Sequence, residues 1–366
     1  MELKFDKYNE FSIKSLFGRY ITNDSILQLT EIFSYSEIGK SSNNLPIYYL
    51  KLGSGPIKIL IWSQMHGNES TSTKALFDAL SYFLHIDKKH LSDFTLHIIP
   101  ILNPDGALLY TRENFNKIDL NRDASSLSQN ESVFLRDLYG KINPHYCFNL
   151  HDQRSIYSVA DTNKPSILSF LSPAADTNKS ETNSRITSMK VISSINEELD
   201  SLIKGHISRY KDDYNPNCVG DTFQSLNTPT LLFESGHFDN DYNRENTRKN
   251  MCFALITAIT SITTNEYKKI DYSDYYKIPE NTTYLSDIFL RNVLIKNGIK
   301  EYRTNISIMY NEVLDKSANK IILEPFIDKK GLLRNMFGHF EIDFTNNDKM
   351  FKNDDNLLNN LLKHID

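Results

Sequence analysis

A chain of 366 residues with 40% hydrophobic and 24% charged residues can bury a sizeable core, as one large domain or two ordinary ones. Its formal net charge of −5 and its lack of any basic block argue against nucleic acid as a default partner. No apolar run approaches the ~18 residues of a membrane-spanning helix, and Glu2, Lys4, Asp6, Lys7, Glu10, Lys14 and Arg19 leave no h-region for an ordinary secretory signal.

The widely spaced Cys147, Cys218 and Cys252 favour free thiols in a reducing compartment over a disulfide framework, so a cytoplasmic protein is expected. Phe11–Leu16 and Ile26–Phe33 read as short amphipathic helices. Ile47–Lys51 and Ile57–Trp62 read as strands joined across Gly53-Ser54-Gly55-Pro56 in a hairpin-like turn. From Ser70 to His85, Ala75, Leu76, Ala79, Leu80, Phe83 and Leu84 recur at helical spacing. Phe94–Ile101 is another strand, stopped by Asn103-Pro104-Asp105-Gly106, a turn signal in which proline fixes φ and glycine permits positive φ.

Residues 107–130, 152–182 and 204–228 are long polar stretches, and loops of that length in a compact domain are usually functional or disordered. Between them, Glu131–Tyr139 is a short helix and Tyr146–Leu150 a strand that delivers His151. Arg185–Ile203 is helical, with Ile186, Met189, Ile192, Leu199 and Ile203 on one face. Thr230–Phe233 is a strand delivering Glu234, and Asp241–Thr264 is a helix.

This alternation predicts an α/β fold, with a mixed, mostly parallel central sheet and helices on both faces. Residues 1–268 form the main domain, of which 1–40 fit the pattern least, and 267–280 read as a linker. Residues 275–366 read as a small α+β appendage: a helix over Leu285–Ile295 halted at Asn297-Gly298, strands over Ile306–Val313, Lys320–Ile327 and Phe340–Phe344, and a tail Asn353–Asp366 that is helical or frayed.

The chemistry gathers at strand ends. His66 and Glu69 sit where a strand turns into a helix, and His151 ends another strand. Two nitrogens and a carboxylate oxygen suit zinc and leave one coordination position for water. A bare His-x-x-Glu is weak evidence, and His85, His90, His97, His145, His206, His339 and His364 take the ordinary reading of surface or satisfied core histidines.

The order of further motifs changes that weight. His66-Gly67-Asn68-Glu69, Asn103-Pro104-Asp105-Gly106, Arg112-x-Asn114, Asp119-Leu120-Asn121-Arg122, His151 and Phe233-Glu234-Ser235-Gly236 occur in an order that resembles the zinc carboxypeptidases, the metallocarboxypeptidase clan typified by carboxypeptidases A and B. The resemblance covers about residues 40–265. It implies one zinc ion per chain, held by His66, Glu69 and His151. It implies Glu234 as general base, Arg112 as the cation that steadies the oxyanion, and Asn121 with Arg122 as the anchor of a terminal carboxylate. Asp119 would orient His66. Tyr214, or else Tyr210, would cap the substrate, and Asp152–Gln153 would be a cis peptide.

Lys117, Asp152 and Asp123-Ala124 depart from the family's usual residues, which leaves the side-chain specificity pocket open. Arg154 fits either a contact to a negatively charged substrate or a loop salt bridge. The expected function is a cytoplasmic zinc metallocarboxypeptidase acting on a small peptide with a free carboxylate, with neither nucleic acid nor membrane as partner. The alternatives are a deacylase of N-acyl amino acids resembling aspartoacylase or succinylglutamate desuccinylase, and a binding module that holds a carboxylate ligand without cutting it.

Overall fold

The computed structural model describes residues 5–347 and 349–364. The first four residues, with Glu2 and Lys4, and the last two of the predicted tail lie outside the described residues.

Two short helices, α1 (Tyr8–Phe11) and α2 (Asn23–Leu27), begin the chain, the second started by a reciprocal Thr22–Ser25 capping box. Strands β1 (Tyr35–Lys40), β2 (Pro46–Gly53) and β3 (Ile57–Trp62) lead to helix α3 (Thr71–His85) and strand β4 (Phe94–Ile99). Helices α4 (Pro104–Leu109) and α5 (Asn130–Ile142) precede β5 (Tyr146–Asp152). The short strands β6 (Ser158–Val159) and β7 (Leu168–Leu171) come before α6 (Asn183–Leu199), β8 (Ile207–Arg209), α7 (Val219–Ser225), β9 (Thr230–Ser235) and α8 (Glu245–Thr264). Beyond them lie β10 (Asn281–Thr282), β11 (Leu285–Asn297), β12 (Lys300–Asp315), β13 (Lys320–Gly331), β14 (Phe337–Asp343), β15 (Met350–Lys352) and α9 (Leu357–Leu362).

The central sheet has eight strands in the order β1-β2-β4-β3-β5-β9-β7-β8. The inner ladders β4-β3-β5-β9 are parallel, while β1-β2, β2-β4 and β7-β9 are antiparallel. Side chains alternate across this sheet. Ile59 and Ile61 pack in the core with α3, α6 and α8, whereas Leu60 and Trp62 pack on the other face with Leu135 and Ile142 of α5 and Val219 and Phe223 of α7. Both faces are therefore covered, and the predicted mixed α/β architecture is the observed one.

A second, five-stranded sheet runs β13-β12-β11-β14, with β15 also pairing β11. It has its own apolar cluster, which includes Ile288, Leu290, Val293, Ile295, Phe344, Phe351, Leu357 and Leu361. Leu285–Ile295 is thus a strand and not the predicted helix. A register shift between Leu290 and Val293, with Asn292 in the left-handed region at φ 57, slips the alternation by one residue. The core-facing residues Ile288, Leu290, Val293 and Ile295 then mimic a helical period.

Other expectations are corrected by long-range pairing. The strands at β2 and β3 are not hairpin partners, because β4 lies between them. The intervening loop instead bonds to the start of β4, with Gly55 N donating to Phe94 O at 2.8 Å. Asn103-Pro104-Asp105-Gly106 starts a helix: the Asn103 side chain accepts from Gly106 N at 2.8 Å and proline occupies the first turn, where its missing N–H costs nothing. The stretch Tyr35–Lys40 is a strand that the sequence reading left out, and residues 204–228 contain β8 and α7. Asp152–Gln153 is trans, since no described peptide bond is cis. Gln153 N continues the ladder by donating to Ser235 O at 2.8 Å.

Candidate metal centre

β3 ends at Trp62, and Gln64 adopts a left-handed backbone at φ 45. Its side-chain amide donates to Ile21 O and Gly67 O, both at 2.9 Å, which offsets the cost of that conformation. Gly67 has no room for a side chain: a Cβ there would collide with the backbone of Gly106 and Ala107. Two separated sequence motifs thus touch through their glycines, and His66 and Glu69 are set on either side of that contact.

His66 Nδ1 lies 2.8 Å from Glu69 Oε1, and His151 Nδ1 lies 2.7 Å from Glu69 Oε2. The two Nδ1 atoms are 3.1 Å apart. His66 Nε2 faces Asp119 Oδ1 at 3.0 Å. Both imidazoles are buried, and the Glu69 side chain is only 12% exposed. Two imidazole nitrogens and a carboxylate within 4.8 Å of one another form a donor set that suits a metal ion. With Asp119 accepting at Nε2, His66 can present an unprotonated Nδ1 to such an ion, so the residues present fit zinc.

The electrostatics agree with that arrangement. Burial opposes charge on His66, but the Glu69 carboxylate and hydrogen bonds to Asp119 and Glu69 outweigh it and raise its pKa. Burial also opposes charge on Glu69, yet the two histidines hold it well below the usual carboxylate range. His151 goes the other way, lowered by burial against the pull of Glu69. In Asp119, burial is overcome by His66 and Arg112, and its pKa falls.

Arg112 is 42% exposed at its side chain. Its Nη1 donates to Glu69 Oε1 at 3.2 Å, while Nε and Nη2 donate to Asp119 Oδ2 at 3.1 and 3.0 Å. Glu234 is brought in by sheet register: in the parallel pairing of β5 and β9 it stands opposite His151. Burial, then the charges of Glu69 and Asp152, push its pKa well up, only partly offset by Arg112 and Arg244. A cation held by the triad would reverse part of that push.

Asn121 and Arg122 follow Asp119 on a single 3-10 turn, Leu120–Arg122, started by Asp119 Oδ1 accepting from Asn121 N at 2.8 Å. The Asn121 side-chain oxygen accepts from Val219 N at 3.1 Å, so it also caps α7. Arg122 is exposed, with Nη1 on the Asn121 carbonyl at 2.7 Å and 3.1 Å from Cys218 Sγ. Of the two candidate tyrosines, Tyr210 packs on Tyr157 with ring centroids 5.3 Å apart. Its pKa is raised by burial and then by the Glu234 charge, which puts its phenol within the field of that carboxylate. Tyr214 is half-buried farther along the loop. Arg154 is exposed and lines a cleft that begins at Glu69 and Arg112.

Two residues matter here that the sequence reading did not single out as structural. Asp152 accepts from Thr71 N at 2.8 Å and Ser72 N at 3.0 Å, so the end of β5 caps the N-terminus of α3. That clamp joins the element carrying His151 to the one that follows Glu69. Its only sequence signal was an acidic residue directly after a strand-end histidine. Arg244, buried, donates through Nη1 to the carbonyls of Gln153, Ser235 and Gly236 at 2.6, 2.8 and 2.9 Å. It pins the ends of β5 and β9 together, and nothing local in the sequence marks it.

Fold and site together define an α/β protein with a metal-type centre at the C-terminal edge of its sheet. Residues 26–187 match the zinc carboxypeptidase family. Carboxypeptidase SOL1 of Arabidopsis thaliana is 30% identical over 125 residues, 28% of this chain and 25% of that protein. Carboxypeptidase 2 of Trichophyton rubrum is 26% identical over 133 residues, 32% of this chain and 25% of that protein. The matched region thus spans about a quarter of the length of these relatives. The metallo-carboxypeptidase of Burkholderia cenocepacia shares the fold, with a TM-score of 0.52 at 18% identity over 66% of this chain and 68% of that one. The chain is thus similar to the zinc carboxypeptidases over residues 26–187 and shares the fold of a metallo-carboxypeptidase.

Proposed function

We propose that this protein is a zinc-dependent metallocarboxypeptidase that hydrolyses a C-terminal peptide bond next to a free carboxylate. The observation that carries the reading is the convergence of His66 Nδ1, Glu69 and His151 Nδ1, with Glu234 in register opposite His151. When bound by that triad, zinc would supply Lewis acidity and bring the pKa of a bound water to about 7.

The chain's own groups would do the rest. Glu234 takes the proton of the attacking water and passes it to the leaving amine. Its raised pKa suits a carboxyl group that must accept and then release a proton. Arg112, fixed by Asp119, offers a preorganised cation where negative charge develops. Exposed Arg122 takes the terminal carboxylate through its planar fork. Tyr210, which packs on Tyr157 and whose pKa is raised by burial and then by the Glu234 charge, is the tyrosine we favour near the substrate. The partner is then a small peptide with a free carboxylate. We place the protein in the cytoplasm as part of the same proposal, supported by three unbridged cysteines, two of them buried.

The test is metal content and hydrolysis of a panel of peptides and N-acyl amino acids by wild type and Glu234→Gln. One zinc per chain in both, peptide cleavage by wild type, and a loss of about 10²- to 10⁴-fold in the variant are expected. A folded protein that takes up no metal, or a variant as active as wild type, overturns the reading. A preference for N-acyl amino acids moves it to a deacylase.

A further inference from the structure

The two sides of the triad differ. Asn121 and Arg122 stand on one side, against Cys218 and Val219 at the start of α7. On the other, a cleft of about 430 Å³ runs from Glu69 and Arg112 past Asn68 and Gln153. Among the described residues, neither Asn121 nor Arg122 lines it. On the reading given above, Arg122 takes the terminal carboxylate and the scissile bond lies over the triad. The cleft then receives the acyl side of the substrate.

The far wall of this cleft comes from the C-terminal sheet: Asp287 of β11, Met309, Tyr310 and Glu312 of β12, and Leu323 of β13. That wall is fastened to the central domain at several points. Glu312 takes Arg19 Nη1 at 2.8 Å on one oxygen and the Tyr110 hydroxyl at 2.5 Å on the other. Arg19 is only 7% exposed and Glu312 half-buried, so loss of Glu312 would leave a buried cation without this partner. Asp287 accepts from the Tyr242 hydroxyl of the central domain at 3.1 Å and, within its own sheet, from Tyr310 N at 2.8 Å. At the edge, Leu285 N donates to Ile156 O at 3.1 Å, and β10 pairs with β6. Anchors at Glu312, Asp287 and Leu285 hold the sheet to the central domain as a fixed wall and not a swinging lid. The cleft volume lies near the lower end of the ~300–1,000 Å³ that holds one small ligand.

We propose that the C-terminal sheet sets substrate length: it closes the acyl side of the site so that the protein accepts short peptides, with one or two residues before the scissile bond, and rejects longer chains. This rests on the peptidase reading, and it gives the second sheet a role that the chemistry at the triad does not require.

The experiment uses the full-length, zinc-loaded protein and a series of alanyl peptides ending in phenylalanine, from dipeptide to hexapeptide. Wild type is expected to lose about tenfold or more in kcat/KM between tripeptide and pentapeptide, a difference of about 1.4 kcal/mol in transition-state binding. Leu323→Ala, at a half-buried position of β13, should raise the ratio of pentapeptide to tripeptide kcat/KM, and Leu323→Trp should lower it. Equal cleavage of all lengths overturns the proposal and leaves the peptidase reading intact. Cleavage of no peptide at any length counts against the peptidase reading. Calorimetric binding of the same series to zinc-loaded Glu234→Gln then decides the wall separately. Binding confined to the short peptides supports it, and binding that is absent or independent of length overturns it.

Discussion

His66 Nε2 lies 3.0 Å from Asp119 Oδ1, and the other oxygen of Asp119 holds the Arg112 guanidinium by two hydrogen bonds. One carboxylate therefore meets both an imidazole of the candidate metal site and the Arg112 guanidinium beside it. Asp119→Asn is expected to weaken zinc binding by about 10- to 100-fold. It should lower kcat/KM further at saturating zinc, because Arg112 loses its fixed partner. Competition with a chelating dye measures the first effect and steady-state kinetics the second. Unchanged zinc affinity would show that Asp119 does not orient His66.

Metal should also report on stability. Zinc added to chelator-stripped protein is expected to raise the thermal midpoint, since a ligand that binds only the folded state stabilises it by about 2.7 kcal/mol at a hundred times its dissociation constant. His151→Ala should fold but lose most of the zinc-dependent rise, as it removes one donor of the set. Differential scanning fluorimetry with and without zinc makes the comparison, and an equal rise in the variant would place the metal elsewhere.

The N-terminal segment is held by a charge pair in the core. Arg248 Nε and Nη2 meet the two oxygens of Asp78 at 2.7 and 2.8 Å, and the same guanidinium donates to Ile13 O and Leu16 O. The Asp78 side chain is fully buried. Arg248→Ala is expected to cost about 3–5 kcal/mol by leaving that carboxylate without its cation. Urea unfolding measures the loss, and a change below about 1 kcal/mol would mean that the site relaxes or admits water.

Asp221 provides a pH test away from the triad. Burial holds its carboxyl up at about 6 against an ordinary 3.8, despite a hydrogen bond from Asn215 N. Between those values the folded chain keeps a proton that the unfolded chain has lost. The contribution of this group is therefore greatest below pH 3.8 and is lost as pH rises through about 6. Asp221→Asn should flatten the decline of stability across that window and be the more stable protein above it, by at most about 3 kcal/mol. Denaturant midpoints from pH 4 to pH 7, paired with wild type, would expose a constant difference if the shift were absent.

Much of the site could be read along the chain because its parts are local. A strand followed by a turn and a helix places His66 and Glu69, and apolar runs deliver His151 and Glu234 at strand ends. Such features depend on periodicity and turn chemistry within a few residues. The bulge at Asn292 shows where that signal misleads: one inserted residue turned a strand pattern into a helix pattern.

The sequence by itself determined the α/β class and singled out His66, Glu69 and His151, which the structure brings within 4.8 Å of one another. Only the tertiary structure decided that β4 inserts between β2 and β3, that Asp152 and Arg244 clamp the strand ends, and that a second sheet walls the cleft. The reason is distance along the chain: Arg19 and Glu312 are 293 residues apart, and no local pattern records which carboxylate a buried arginine will meet.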